Sequence, residues 1–488
     1  MSWTQIAATA FGLLAAHGVE LLLIRWVVLS PNRQPQASVA WILTIAFVPY
    51  LGGLLFLIFG VDRINRRRAD RVDNVELLSE RPGRVPEAWL ADTSAWTLRG
   101  QQAAAAIERL CDTRPTIGNR TEILHDTHRT LGLIEQAIGE ARHHVHLEYY
   151  IWEPDETGRR LRDAIVAKAR EGVEVRFLYD SFGSFFLKRR FLQPMIDAGA
   201  AVLPFSPGQS LREKWSLNNR SHRKIVVVDG RVGFTGGMNI GDEYLGLIRR
   251  SGRWRDSHLR IEGPAVWQLQ QVFREDWYYA STATEPEDLT GDCYFADLEG
   301  DPRVGRIAQI VAGGPDRTPR PFHQILFGAI NEAQQRITLT TGYFIPTDSL
   351  AMALAAAAMR GVDVRILVPG HTPHLLETTV WAGRSYYDTL LAAGCTIHEF
   401  VDGTLHAKTL SVDGEWALVG SANFDNRSAV LNFEVGCVIY DAAAADELDR
   451  QYEMDLRSAD PITAADRALL KPRQRFVENA SRLFAPVL

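Results

Sequence analysis

The pattern of apolar and polar positions changes character along these 488 residues. Two apolar stretches, about 4–29 and 37–60, come first. The second, Ala37 to Gly60, holds no charged residue over 24 positions. As a helix it would extend about 36 Å, enough to cross the hydrocarbon core of a bilayer. Pro49 and Gly52-Gly53 predict a kink or a close packing point within it. The first stretch carries His17, Glu20 and Arg25, so it reads either as a second spanning helix with a polar face or as an interfacial helix. No Lys or Arg precedes it, which argues against a cleaved secretory signal. Arg63, Arg66, Arg67, Arg68 and Arg71 follow the second stretch, and basic residues on that flank predict a cytoplasmic face for what comes after. Residues 1–71 are therefore expected to be a membrane anchor.

From 72 to 118 the pattern is that of a linker with local structure, Arg81-Pro82-Gly83 marking a turn and Ala103 to Ile107 a helix. Beyond it, strand-like and helix-like periods alternate, and they do so twice. Strand, helix, strand, helix, strand is predicted over 144–151, 158–170, 173–179, 189–198 and 201–205. The same order is predicted over 336–344, 350–360, 362–368, 386–393 and 396–400. The run Glu171-Gly-Val-Glu-Val-Arg-Phe-Leu matches Arg360-Gly-Val-Asp-Val-Arg-Ile-Leu almost letter for letter, and Asp197-Ala-Gly199 matches Ala392-Ala-Gly394. The expected fold is α/β: two duplicated lobes, 119–290 and 291–488, each a β-sheet flanked by helices, related by a pseudo-twofold axis.

The chemistry lies in a shorter repeat inside the longer one. His222-Arg-Lys224-Ile-Val-Val-Val-Asp229 leads to Gly236-Gly237-Met238-Asn239, and His406-Ala-Lys408-Thr-Leu-Ser-Val-Asp413 leads to Gly420-Ser421-Ala422-Asn423. In each copy Lys follows His by two, Asp by seven and Asn by 17. The apolar residues after each Lys read as a strand, and Asp-Gly then signals a hairpin turn. On such a strand His and Lys share one face. Two imidazoles and two ammonium groups meeting at the junction of two lobes suit phosphoryl transfer: one neutral His attacks phosphorus and the other gives a proton to the departing oxygen. Lys224, Lys408, Asn239 and Asn423 would stabilise the non-bridging oxygens, and Gly237 and Ser421 would let backbone approach the phosphate. Asp229 and Asp413 stand at the turn on the opposite parity, which points to a structural role.

Composition narrows the partners. A formal net charge of −6 gives no overall basic signature, so nucleic acid is not an expected partner. Cys111, Cys293, Cys395 and Cys437 are scattered without metal-ligand spacing and read as small buried residues. Neither a metal nor a nucleotide cofactor is expected. A second basic cluster, Arg249, Arg250, Arg253 and Arg255, would either attract anionic lipid or form a solvated loop.

The duplicated H-x-K-x4-D resembles the signature of the phospholipase D superfamily. Within it the chain resembles the bacterial cardiolipin synthases, through His146-Leu-Glu148-Tyr149-Tyr150-Ile151-Trp152, Trp254-Arg-Asp256-Ser-His-Leu-Arg-Ile-Glu-Gly263 and Asn423-Phe-Asp-Asn-Arg427-Ser428 followed by Asn432-Phe-Glu434. The resemblance runs over nearly the whole chain. It implies that Asp229 and Asp413 count with the active site, and that an acidic residue at the place of Asp256 and Glu434 hydrogen-bonds a catalytic His. Which carboxylate serves which His stays open. It also implies phosphatidyl transfer between two phosphatidylglycerol molecules through a phosphohistidine, giving cardiolipin and glycerol. His222 is assigned as nucleophile and His406 as acid/base, though spacing allows the reverse. The implied partners are phosphatidylglycerol, other anionic phospholipids and the bilayer, and the implied location is the bacterial inner membrane, multi-pass, with the catalytic body in the cytoplasm. A phospholipase D or phosphatidyltransferase using water or another lipid as acceptor fits the same motif. So does a nuclease, which the apolar amino terminus disfavours, or a binding protein without activity, which two intact His-Lys pairs disfavour. The oligomeric state is left open.

Overall fold

The computed structural model describes residues 17–30, 35–48, 50–60, 83–205, 220–248, 252–281, 289, 291–317, 320–372 and 377–485. They fall into two compact units, one of residues up to Arg66 and the other of Arg67–Ser206 with Asn219–Leu488. Residues 4–16, the arginine run from Arg63 to Arg71 and Arg249 with Arg250 lie outside the described residues.

In the first unit, residues 17–29 are helical, followed by helix Pro35–Phe47, helix Leu51–Leu55 and a π-helical turn Phe56–Gly60. The single helix expected over 37–60 is interrupted after Phe47, beside Pro49, which lacks the N–H that a helix interior requires. Tyr50 there has a positive φ of 64°. Gly52 packs so close to the preceding helix that a Cβ would lie 2.2 Å from the Thr44 carbonyl oxygen. No helix among the described residues is long and apolar enough to cross a membrane. Val27, Ile45 and Phe56 share a small core, while Leu21, Leu22, Leu29, Leu43, Phe47 and Leu51 are exposed.

The second unit is built on duplicated strands. The first half supplies β1 (Thr116–Leu124), β2 (His144–Tyr149), β3 (Glu174–Asp180), β4 (Ala201–Phe205), β5 (Lys224–Val228), β6 (Val232–Gly236) and β7 (His258–Glu262). The second supplies β8 (Arg306–Gly313), β9 (Arg336–Thr340), β10 (Asp363–Pro369), β11 (Thr396–Phe400), β12 (Thr409–Val412), β13 (Trp416–Gly420), β14 (Asn432–Tyr440) and β15 (Ala459–Ile462). From the middle outward the first half runs β1-β7-β6-β5-β2-β3-β4 and the second β8-β14-β13-β12-β9-β10-β11-β15. Apart from β15 the two orders are the same. Sequence reasoning expected a separate sheet in each lobe; instead β1 and β8 pair antiparallel, Thr116 opposite Ala308, so one hydrogen-bonded sheet runs through both halves. Two strands at equivalent edges satisfy each other's free backbone groups.

Burial explains why the first motif strand is apolar at every position after Lys224. Val226 and Val228 face the helices of the first half (Thr127–Glu140, Glu156–Arg170, Arg189–Asp197), whereas Ile225 and Val227 face a shared core. That core also takes Val419, Phe433, Val435 and Cys437 from the second half and is lined by helices Ala265–Ala280 and Ala442–Asp455. Within the stretch read as linker, helix Leu98–Cys111 is capped by Thr97 and buries Ile107 and Cys111 in the second-half core. Cys395 and Cys437 are buried as expected, but Cys293 is exposed.

Each motif strand ends in an Asp-Gly turn with both residues at positive φ: 52° and 62° at Asp229-Gly230, 54° and 68° at Asp413-Gly414. This is the left-handed pair a two-residue hairpin requires. The carboxylate of Asp229 accepts from the backbone N–H groups of Arg142, His143 and His144 at 2.8–2.9 Å, fastening the turn to the start of β2. Asp413 does the same for Gln334, Gln335 and Arg336, and also takes Arg99 at 3.1 Å. Asp229→Asn is expected to lower unfolding stability by about 1–3 kcal/mol while sparing most of the turnover per folded molecule. Thermal unfolding and activity of the same preparation check this.

Candidate active site

Strands that cross between the halves build the site. Arg220–Ser221 pairs in parallel with Asn432–Phe433, and Thr404–Leu405 pairs in parallel with Trp254–Arg255. His222 follows the first crossing piece and His406 the second, each held by a backbone bond to the opposite half: His222 N–H to Phe433 O at 2.9 Å, His406 N–H to Arg255 O at 2.7 Å. The histidines were expected on the hairpin strands themselves. They sit just before them, because the ladder passes to the other half at Ser221 and Leu405 before β5 and β12 begin.

The side chains repeat this exchange. His222 Nδ1 lies 3.0 and 3.1 Å from the two oxygens of Glu434, and His406 Nδ1 lies 2.7 Å from Asp256 Oδ2. The pairing left open by the sequence is therefore crosswise. A carboxylate only accepts, so Nδ1 carries the hydrogen in both rings and Nε2 keeps its lone pair. Burial drives His222 down to about 4 and His406 down to about 3, against the pull of their carboxylates. Burial would raise Glu434, but His222, Lys224 and Ser421 outweigh it and hold it at about 2; Asp256 is likewise lowered through His406 and Lys408. Each is thus a neutral imidazole against an ionised carboxylate.

Lys224 and Lys408 are buried, and each donates from Nζ to the carbonyl of its own histidine, Lys224 at 2.7 Å. Burial depresses them to about 7 and about 8. Desolvated cations of this kind regain charge when an anion arrives. Asn239 Oδ1 accepts from Ile151 N–H at 3.3 Å, whereas the buried Oδ1 of Asn423 has no hydrogen-bond partner among the described residues. Asp229 and Asp413 stand at the far ends of β5 and β12 from the imidazoles.

Two residues assigned to phosphate approach also lie against the orienting carboxylates. Ser421 Oγ donates to Glu434 Oε2 at 2.5 Å, and a Cβ at Gly237 would lie 2.1 Å from Asp256 Oδ1. Arg255 is not part of a lipid-facing cluster: it is buried against Asp455 at 2.8 Å and donates to the Asp256 carbonyl. Arg253 is exposed, with Asp402 at 3.7 Å.

Sequence reasoning gave no role to five residues at the site. Arg223 is buried and donates to the Glu434 carbonyl at 3.1 Å and to Asp276. Trp254 lies 5.3 Å from the His406 ring, and its structural equivalent Asn432 donates to Glu434 at 3.2 Å. Tyr150 packs 4.9 Å from the His222 ring. The bridges Trp152–Ile240 and Phe344–Phe424 align the halves and place Gly342 where the first half has Tyr150. A Cβ on Gly342 would lie 3.1 Å from His406 Cα, 3.3 Å from Lys408 Nζ and 3.4 Å from Asn423 Oδ1. Aligning the two repeats just beyond β2 and β9 would have exposed this Tyr/Gly contrast.

A duplicated sheet that brings two His-Lys pairs to one buried site, each pair oriented from the opposite half, defines a phospholipase D-like protein. The family model "Cardiolipin synthase, PLD-like domain" matches residues 134–277 and 326–456, and "Phospholipase_D-nuclease N-terminal" matches 21–60. Cardiolipin synthase 1 of Bacillus cereus is 37% identical over 480 residues, 97% of this chain and 93% of that protein. A Geobacillus cardiolipin synthase is 35% identical, covering 98% of this chain and 94% of its own length. The chain belongs to the phospholipase D-like cardiolipin synthase family. The crystal structure of phosphatidylserine synthase from Haemophilus influenzae shares the fold, with a TM-score of 0.60 at 16% identity over 79% of this chain and 100% of that one.

Glu434→Gln and Asp256→Asn should each cut kcat by about a hundred- to ten-thousandfold with little change in KM, because the imidazole loses its tautomer and its charge support. Gly342→Ala should cost about tenfold or more by displacing Lys408 and Asn423. Steady-state kinetics on a dissolved short-chain phosphatidylglycerol check both; near-native rates in either carboxylate variant would contradict the assignment.

Proposed function

We propose that this protein is a cardiolipin synthase that moves a phosphatidyl group from one phosphatidylglycerol to the terminal hydroxyl of a second, releasing glycerol. The observation that carries the reading is the crosswise pairing of two neutral, buried histidines with Glu434 and Asp256 above two buried lysines. In the first step His222 Nε2 forms a bond to phosphorus as the bond to the glycerol oxygen breaks, and His406 Nε2 delivers a proton to that oxygen. An anionic phosphodiester beside Nε2 raises the affinity of His406 for this proton, which the neutral ring takes up from water as the substrate binds. In the second step His406 takes the proton of the incoming hydroxyl, the new P–O bond forms and the bond to His222 breaks. A phosphodiester is exchanged for a phosphodiester, so no nucleotide need drive the reaction. Lys224 and Lys408, with the amides of Asn239 and Asn423, balance the charge on the non-bridging oxygens.

The amino-terminal unit holds this body at the membrane, as a multi-pass anchor with the catalytic unit on the cytoplasmic side. The exposed aliphatic residues of helices 17–29 and Pro35–Phe47, and the arginines from Arg63 to Arg71, support that placement. Tethering raises the local concentration of headgroups at the site.

Purified enzyme in mixed micelles with labelled phosphatidylglycerol should yield cardiolipin and glycerol in equal amounts; phosphatidic acid alone would make it a hydrolase. His222→Ala and His406→Ala should each abolish turnover, and phosphorus label trapped by a denaturing quench at alkaline pH, where the P–N bond survives, should map to His222. Label on His406 would reverse the two roles. The lysine charges are present at low pH and lost as pH rises through about 7–8, so kcat/KM on dissolved substrate should fall over that range. A profile flat to about pH 10 would show that the lysines do not stabilise the phosphate.

A further inference from the structure

Three phenylalanines beside the His222 half of the site point into solvent. Phe182, Phe185 and Phe186 are 52%, 64% and 63% exposed, in the loop between β3 and helix Arg189–Asp197. The loop is not free to turn them inward. Ser184 is buried, its Oγ donating to the Tyr150 carbonyl and accepting from Trp152 N–H, both at 3.0 Å. The Asp180 carboxylate accepts from Phe182 and Gly183 N–H at 2.9 Å and from Ser221 N–H at 3.0 Å. Leu187 anchors the far end in the first-half core, and a Cβ at Gly183 would lie 2.3 Å from the Tyr150 carbonyl oxygen. A rigid base thus presents apolar tips.

Those tips carry charge on one side and reach the site on the other. Lys188, Arg189 and Arg190 follow directly and are all exposed, with Lys188 Nζ 4.3 Å from the centre of the Phe185 ring. The Arg220 guanidinium lies 3.5 Å from the Phe182 ring centre and 3.4 Å from the Tyr150 hydroxyl, and Tyr150 packs on His222. Aromatic rings on a fixed loop backed by cations have the composition of a contact with an anionic lipid surface, where rings enter the headgroup boundary and cations meet phosphates.

We propose that residues 182–190 form a membrane-inserting wedge that seats the His222 half-site against an anionic bilayer, Phe182, Phe185 and Phe186 entering the interface and Lys188, Arg189 and Arg190 engaging phosphates. The inference rests on the reading of the substrate as a bilayer lipid. The wedge would lower the barrier to drawing a phosphatidylglycerol headgroup out of the membrane into the site, a step that an anchor at the amino terminus does not perform.

The test compares two substrates on the full chain reconstituted in vesicles of phosphatidylcholine and phosphatidylglycerol. In the variant Phe182→Ser/Phe185→Ser/Phe186→Ser, the apparent KM for bilayer phosphatidylglycerol, as mole fraction, should rise about tenfold or more, while kcat/KM on dissolved dihexanoyl-phosphatidylglycerol stays within about twofold. Lys188→Glu/Arg189→Glu/Arg190→Glu should show the same split. Loss on both substrates together would make the loop a structural element and overturn the wedge. Unchanged bilayer kinetics would overturn it too and leave the patch to a protein partner. Failure of the unmutated enzyme on either substrate would instead sink the proposed function. An activity-independent reading comes from a spin label on Phe186→Cys in a Cys293→Ser background: in vesicles it should be more accessible to oxygen than to a water-soluble nickel chelate, and the opposite order contradicts insertion.

Discussion

The structure turns on a hydrogen bond made twice across the same junction: His222 to Glu434 and His406 to Asp256. Neither half can orient its own histidine. The ladder of each half therefore continues into the other at Arg220–Ser221 and Thr404–Leu405, and buried arginines hold the carbonyls of the orienting carboxylates, Arg223 at Glu434 and Arg255 at Asp256. With both lysines charged, two cations and two carboxylates balance before substrate arrives. This limits the cost of burying four ionisable groups in one place. The phosphodiester then brings a charge that the depressed lysines are poised to meet.

Duplication made the two halves equivalent, but the residues around the two histidines have diverged. The ring beside His222 is Tyr150, and the same place beside His406 is the buried Gly342, whose backbone lies close against His406, Lys408 and Asn423. Glu434 receives bonds from Ser421 and Asn432, while Asp256 sits against Gly237 and Trp254. Both imidazoles are packed against an aromatic ring, Tyr150 on His222 and Trp254 on His406, and both orienting carboxylates take further hydrogen bonds, Asp256 from Ser257 N–H at 2.8 Å.

Much of this was legible in the sequence because the repeat is strong at every level. The strands at 201–205 and 396–400 fall where the apolar pattern put them, and the left-handed Asp-Gly turns follow from their chemistry. The crossing strands were not legible: two-residue pieces such as Thr404–Leu405 carry no periodicity, and their partners lie 150 or more residues away in the other half. For the same reason the sequence offered Asp256 and Glu434 as orienting groups without showing which histidine each serves. Gly237 and Ser421 were read toward the phosphate from their place after the motif; that each also packs on an orienting carboxylate, Gly237 on Asp256 and Ser421 on Glu434, depends on contacts that spacing does not carry. The interruption between Phe47 and Leu51 was expected as a kink, but the close packing of Gly52 on Thr44 was not legible from spacing.

The most direct test of the crosswise pairing is the imidazole N–H spectrum of enzyme labelled with nitrogen-15 in histidine. His222 and His406 should each give a strongly downfield Nδ1–H signal, the mark of a hydrogen bond to an ionised carboxylate. Glu434→Gln should remove the His222 signal alone and Asp256→Asn the His406 signal alone. If each substitution instead removes the signal of the histidine in its own half, or neither is lost, the two halves do not build each other's active site.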